Sequence, residues 1–177
     1  MWAMLGFFRL FALLPWCMQR GCATVLGWIA YYLIPIRRHV VLVNLRLCLP
    51  EKTEKERRRL ARAHYQSLVL GGFETCLAWW TRSRWLPRYE LAGLEHLKAA
   101  QAGGRGVILF TAHFTTVEIT SCLLNEQVRY DAVYREPNDA VLAWEMRRQF
   151  QLGLAGSIHF DDLRGIVRAL KAGHVVW

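Results

Sequence analysis

The 177-residue chain is 54% hydrophobic and 12% aromatic, with eight Trp, and its formal charge is +9. That length suits one compact domain with its own core, and that composition excludes a disordered chain. The positive charge alone would suit nucleic acid, but no helix-turn-helix cue, RNP-like run or zinc-finger spacing accompanies it, so no nucleic-acid partner is expected.

The first fifty residues hold Arg9, Arg20, Arg37, Arg38 and Arg46 and no Asp or Glu. Up to Ile36 only Arg9 and Arg20 are charged, and the uncharged run Gly21–Ile36 ends at Arg37-Arg38. This predicts a membrane-associated helical segment, residues 1–38, ahead of a folded domain over 39–177. The run falls short of the roughly 20 apolar residues of a clean span, so spanning and in-plane placements both stay open. On one continuous helix Arg9 and Arg20 lie within about 20° of each other, giving a basic stripe amid Trp2, Phe7, Phe8, Phe11 and Trp16 that fits an anchor on anionic membrane lipid. A buried core helix is the alternative. No basic residue precedes the apolar run and no small-x-small site closes it, which argues against a cleaved signal peptide.

After Pro50, Thr53 and Glu56 form a Thr-x-x-Glu capping box, predicting a helix towards Trp80. Its opening charges, Glu54 to Arg59 and Arg62, read most simply as a solvated face, with phosphate binding as the alternative. Trp79-Trp80-Thr81-Arg82-Ser83-Arg84-Trp85, followed by Pro87, interleaves aromatics and arginines as at a lipid headgroup interface.

From Tyr89 the period changes. A short strand near Tyr89–Leu91 and a helix through Leu94 and Leu97 precede Gly103-Gly104-Arg105-Gly106. Then come a buried strand over Val107–Ala112, helix 115–126, strand 130–134, helix 139–150 and helix 162–172. Gly173 stops that helix, and His174–Trp177 opens another strand. This alternation predicts an α/β fold, a mostly parallel sheet with flanking helices. The glycines precede their strand, whereas a dinucleotide fingerprint needs them after it. A strand beginning at the last residues predicts that the carboxy-terminal part of the domain is missing. The five Cys are odd in number and form no C-x-x-C pair, so reduced thiols are expected, with neither a disulfide framework nor a metal cage. No cofactor is expected.

His113 follows the buried strand, and Glu118 comes five residues later. On one helix they would stand about 140° apart; they can cooperate only if His113 ends the strand and Glu118 lies in the first turn of the next helix. A neutral imidazole oriented by a carboxylate takes a proton from an alcohol. Ser67, Ser83, Ser121 and Ser157 lie in no Gly-x-Ser-x-Gly elbow, so no serine nucleophile is indicated. Two plainer readings compete: a core histidine, and a Thr115-x-x-Glu118 capping box. Arg164, Arg168 and Lys171 recur on one helix face, which suits either anion contacts or plain solvation.

Gly106-Val107-Ile108 through His113-Phe114-Thr115-Thr116-Val117-Glu118 resembles the active-site motif of the bacterial lipid A late acyltransferases, which transfer lauroyl or myristoyl chains. Asn44-Leu45-Arg46 through Pro50, Gly93–Leu97, Val133-Tyr134-Arg135 and Leu163–Val167 are similar as well, so the resemblance covers essentially the whole chain. It implies an acyltransferase at the cytoplasmic face of the inner membrane. The donor would be acyl-acyl carrier protein and the acceptor a hydroxyl of a lipid A precursor, with His113 the base and Glu118 its orienter. The family has an important arginine near the position of Phe150; Arg147 and Arg148 are the nearest candidates here and, with Arg164, the expected substrate contacts. An Asp-Gln motif that follows the last strand in the family lies beyond this chain. A glycerolipid acyltransferase with a similar His-x4-acid core, and an inactive membrane-binding remnant, are the alternative readings.

Overall fold

The computed structural model describes residues 2–81, 89–153 and 155–177, with side chains at all of them except 2–4, 7, 152 and 153. Arg82, Ser83, Arg84, Trp85 and Pro87 of the aromatic-basic cluster, and the side chains of Trp2 and Phe7, therefore lie outside the described residues. The chain divides into two compact units. One takes Gly6–Arg82 and Thr115–Glu118; the other takes Met1–Leu5, Ser83–Phe114 and Ile119–Trp177.

The first unit is helical: α1 (Trp2–Phe11), α2 (Trp16–Leu33), α3 (Pro35–Cys48) and α4 (Glu54–Trp80). Pro15 and Pro35 mark the breaks, because each lacks an amide proton and pushes the residue before it out of the helical region. Ile34 accordingly sits at φ −114°, ψ 73°. Arg9 and Arg20 thus fall on separate helices, and the expected single basic stripe is not formed. Among the described residues no single helix is long and apolar enough to cross a membrane; α2 and α3 qualify only as a pair, bent by 95°.

The predicted capping box opens α4: the Thr53 amide donates to Glu56 Oε2 at 2.8 Å, and the Glu56 amide donates to Thr53 Oγ1 at 3.3 Å. Arg46 of α3 grips Glu54 with two donors, at 2.8 and 3.1 Å, and Arg57 adds a third at 2.9 Å. Tyr31, Ala61 and Tyr65 form the buried centre, Tyr31 meeting Tyr65 edge-on at 5.7 Å. Phe11 stacks on Phe73 at 5.0 Å.

In the second unit α5 (Leu94–Ala102) leads into β1 (Val107–Ile108). After α6 (Val117–Asn125), whose first two residues belong to the helical unit, come β2 (Asp131–Tyr134), α7 (Ala140–Gly153), β3 (Gly156–His159), α8 (Leu163–Lys171) and β4 (Val175–Val176). The strands form one sheet in the order β1-β4-β2-β3, every pair parallel. Helices between parallel strands are what the alternating pattern requires. Gly173, at φ 83°, closes α8 in a Schellman motif: its amide donates to Leu170 O and that of His174 to Ala169 O, both at 3.1 Å. The sheet core gathers Val128, Tyr130 and Val175, with Leu97, Val107, Leu124 and Trp177 packed against them.

Two expectations change. Residues 89–91 form no strand, and Gly156–His159, unmarked in the sequence reading, pairs with β2 along its whole length. The strand expected over 107–112 shortens to β1. Its ladder reaches Leu109, whose amide donates to Val176 O at 2.8 Å, and Phe110 stands 95% exposed.

Candidate active site

His113 lies in the exposed segment 110–114, beyond the carboxyl end of β1, the edge of a parallel sheet where reacting groups gather. The Phe114 amide donates to Ala112 O at 2.9 Å, a three-residue turn with His113 at its centre. His113 is therefore a surface histidine on a tight turn, and the core-histidine alternative does not hold.

Glu118 is the second residue of α6, in its first turn as the motif required. The segment that carries it, Thr115–Glu118, packs within the helical unit on one row of α4. Gly71 allows the approach: a Cβ there would stand 2.4 Å from Thr115 O. Four residues earlier on the same row, Ser67 Oγ and Thr115 Oγ1 share a hydrogen bond of 3.0 Å. Two steps further along it, Trp79 Nε1 donates to Glu118 Oε2 at 3.3 Å. Positions 67, 71, 75 and 79 follow the i±4 ridge of a helix, so one continuous ridge receives the whole segment. The Thr115–Glu118 capping box is not what these side chains form: α6 starts at Val117, and the Thr115 hydroxyl pairs with Ser67.

Glu74, five residues before Trp79, is buried, and burial pushes its carboxyl above the ordinary range. A carboxyl that resists ionisation is poorly suited to hold an imidazolium. Burial likewise pushes the Cys76 thiol up to about 11 and raises that of Cys122, so neither supplies a thiolate nucleophile near neutral pH.

The arginines are dispersed. On α7, Arg147 pairs with Glu136, while Arg148 reaches the buried Glu145 at 3.4 Å and lies over the Trp144 ring at 5.8 Å. Phe150 packs edge-on against Tyr134 of β2 at 5.2 Å. Arg164 lies on the outer face of α8, where it lines a shallow depression of about 490 Å³ with Leu163, Val167, Arg168 and Lys171. The helix-face grouping of Arg164, Arg168 and Lys171 is thus present.

Sequence reasoning missed Ser67, Gly71 and Trp79. A glycine inside a helix is the one signal that pointed there, since it marks close approach of another backbone.

The family model for bacterial lipid A biosynthesis acyltransferase matches residues 1–177. This chain belongs to that family. Among similar lipid A biosynthesis acyltransferases, the lauroyltransferase of Escherichia coli (strain K12) is 32% identical over 99% of this chain and 58% of its own length. The palmitoleoyltransferase of the same organism is also 32% identical, with the same coverage. A lipid A biosynthesis acyltransferase of Haemophilus influenzae is 27% identical over 99% of this chain and 57% of its own. The chain thus spans rather more than half the length of these lipid A acyltransferases. The His113–Glu118 motif falls inside every one of these whole-chain matches.

Proposed function

We propose that the protein transfers a fatty acyl chain from acyl-acyl carrier protein to a hydroxyl of a lipid A precursor, at the cytoplasmic face of the bacterial inner membrane. The observation that carries this reading is the family match running through His113-Phe114-Thr115-Thr116-Val117-Glu118. His113 takes the proton of the acceptor hydroxyl as its oxygen attacks the thioester carbonyl. The new C–O bond forms, the C–S bond breaks, and the imidazolium returns its proton to the departing thiolate. Glu118 holds the imidazole in the tautomer that can accept a proton and stabilises the imidazolium, as the acid does in other histidine-acid pairs. No enzyme nucleophile enters, in keeping with thiols at Cys76 and Cys122 that burial keeps protonated.

The surroundings suit such substrates. Trp28, Ile29, Leu33, Ile36 and Val40 of α2 and α3 are exposed beside Arg37 and Arg38, a composition that suits contact with an anionic lipid surface. A net charge of +9 favours encounter with an acidic carrier protein and a phosphorylated acceptor. Arg147, Arg148 and Arg164 are the proposed anion contacts, Arg147 exchanging Glu136 for substrate.

The test is mass spectrometry of lipid A from a host lacking its own late acyltransferase. Expression should add one acyl chain, and His113→Ala should abolish the gain. Acylation of lysophosphatidic acid instead would replace this acceptor with a glycerolipid, and no transfer to either would leave a membrane-binding remnant.

A further inference from the structure

We infer that Trp79 is a positioning residue for the reaction: its indole N–H fixes the carboxylate of Glu118, so that α4 acts as the platform on which the acid half of the His113–Glu118 pair is set. This rests on the reading of that pair as the acid-base machinery.

A glutamate in the first turn of a helix has three side-chain torsions to settle, and each unfixed one spreads the carboxylate over several positions. Near an imidazole this matters, because a misplacement of about 1 Å can cost on the order of 100-fold in rate. The Thr115–Glu118 segment is held at three heights along one ridge of α4. Gly71 brings the Thr115 backbone against the helix, and Ser67 ties the Thr115 hydroxyl. These two contacts act on Thr115, on its backbone and its hydroxyl. The Trp79 donor, 3.3 Å from Oε2, acts on the carboxylate itself. An indole suits this task. It donates and never accepts, it is rigid beyond two torsions, and it carries no charge to compete with the imidazolium for the acid. A lysine or arginine there would form its own ion pair with Glu118.

The experiment uses the protein in membranes with acyl donor and acceptor. Trp79→Phe keeps an aromatic ring and removes the donor; replacement of Trp79 by 3-benzothienylalanine keeps the bicyclic shape with sulfur in place of N–H. Both should lower kcat by roughly tenfold or more, with KM for donor and acceptor within about twofold, the expected size for one hydrogen bond to a charged group acting on the transition state. In a Glu118→Gln background the same changes should cost less than about twofold further, because the carboxylate they position is gone. Unchanged kcat in the benzothienyl variant, with Glu118→Gln crippled, would overturn the positioning role and leave the acid-base pair standing. Full additivity of the two changes would also overturn it, showing that Trp79 acts independently. Normal turnover in folded Glu118→Gln would overturn the acid-base pair itself, and the role of Trp79 with it.

Discussion

The imidazole Nδ1 of His174 donates to Oδ2 of Asp131 at 2.7 Å, tying the residue before β4 to the first residue of β2. Asp131 is buried and His174 half exposed. Removing the ring in His174→Ala strands a buried carboxylate, and unfolding free energy should fall by about 1.5 kcal/mol, the low end for a hydrogen bond to a charged group because the ring itself is solvated. Both residues stand at the amino ends of their strands, opposite the edge that leads to His113. Activity per folded molecule should therefore hold. Denaturant midpoints and active-site-normalised rates check the two halves.

Glu118→Gln should keep the fold, since a glutamine oxygen still accepts from Trp79, while turnover falls by roughly 100- to 10,000-fold, the range for positioned acid-base groups. His113→Ala should fall about as far, and the double variant little further, because residues acting as one unit are not additive. Steady-state rates with melting temperatures alongside decide it. A rate near that of the parent in a folded single variant would end the pairing.

Two helix glycines should respond in opposite directions to alanine. At Gly27 a Cβ would stand 2.5 Å from Gln66 Cα, in the crossing of α2 and α4, where only backbone could give way. Gly27→Ala should cost about 1–3 kcal/mol as an overpacked contact. Gly72 has nothing within 4 Å of the same position. Gly72→Ala should gain up to about 1 kcal/mol from helix propensity alone. Chemical denaturation of the pair measures both.

The corner between α3 and α4 should weaken in acid. Arg46, with Arg57, holds the Glu54 carboxyl down at about 2. A carboxyl whose pKa is lower in the folded chain stabilises it above the unfolded pKa and loses that contribution as pH falls through the folded one. The difference in melting temperature between the parent and Glu54→Gln should therefore be full at pH 6, narrow below about pH 4.5 and close near pH 2.

Membrane contact through α2 and α3 should depend on a few exposed side chains. Trp28, Leu33 and Ile36 are 52%, 73% and 79% exposed. Changing all three to Ser removes little buried packing but much free apolar surface. The protein should shift from carbonate-washed membranes towards the supernatant, and binding to anionic vesicles should drop. Undiminished sedimentation would move the contact elsewhere.

Local signals were legible where one stretch of chain carries the whole cause. Thr53 and Glu56 cap α4 with bonds between neighbours, Gly173 stops α8 through its own backbone, and the placement of Glu118 after a strand and turn followed from spacing. What was not legible depends on distant partners. β3, Gly156-Ser157-Ile158-His159, has no apolar run to announce it and exists because β2 offers it a parallel edge. The strand expected at Tyr89–Leu91 has apolar residues but no such pairing; the Tyr89 hydroxyl instead donates to Glu126 at 2.8 Å. Trp79 looked like part of a Trp-Arg cluster because its neighbours in sequence are arginines, while its indole is bonded to a residue on another helix.

Among the described strands β4 comes last in sequence, and it lies between β1 and β2. While a ribosome is still adding the residues from Val107 to Val175, β1 lacks its neighbour among the described strands, and at about 5–20 residues per second that interval lasts several seconds. Nascent chains should therefore show the β1 edge to chaperones until Val175 and Val176 can pair with it.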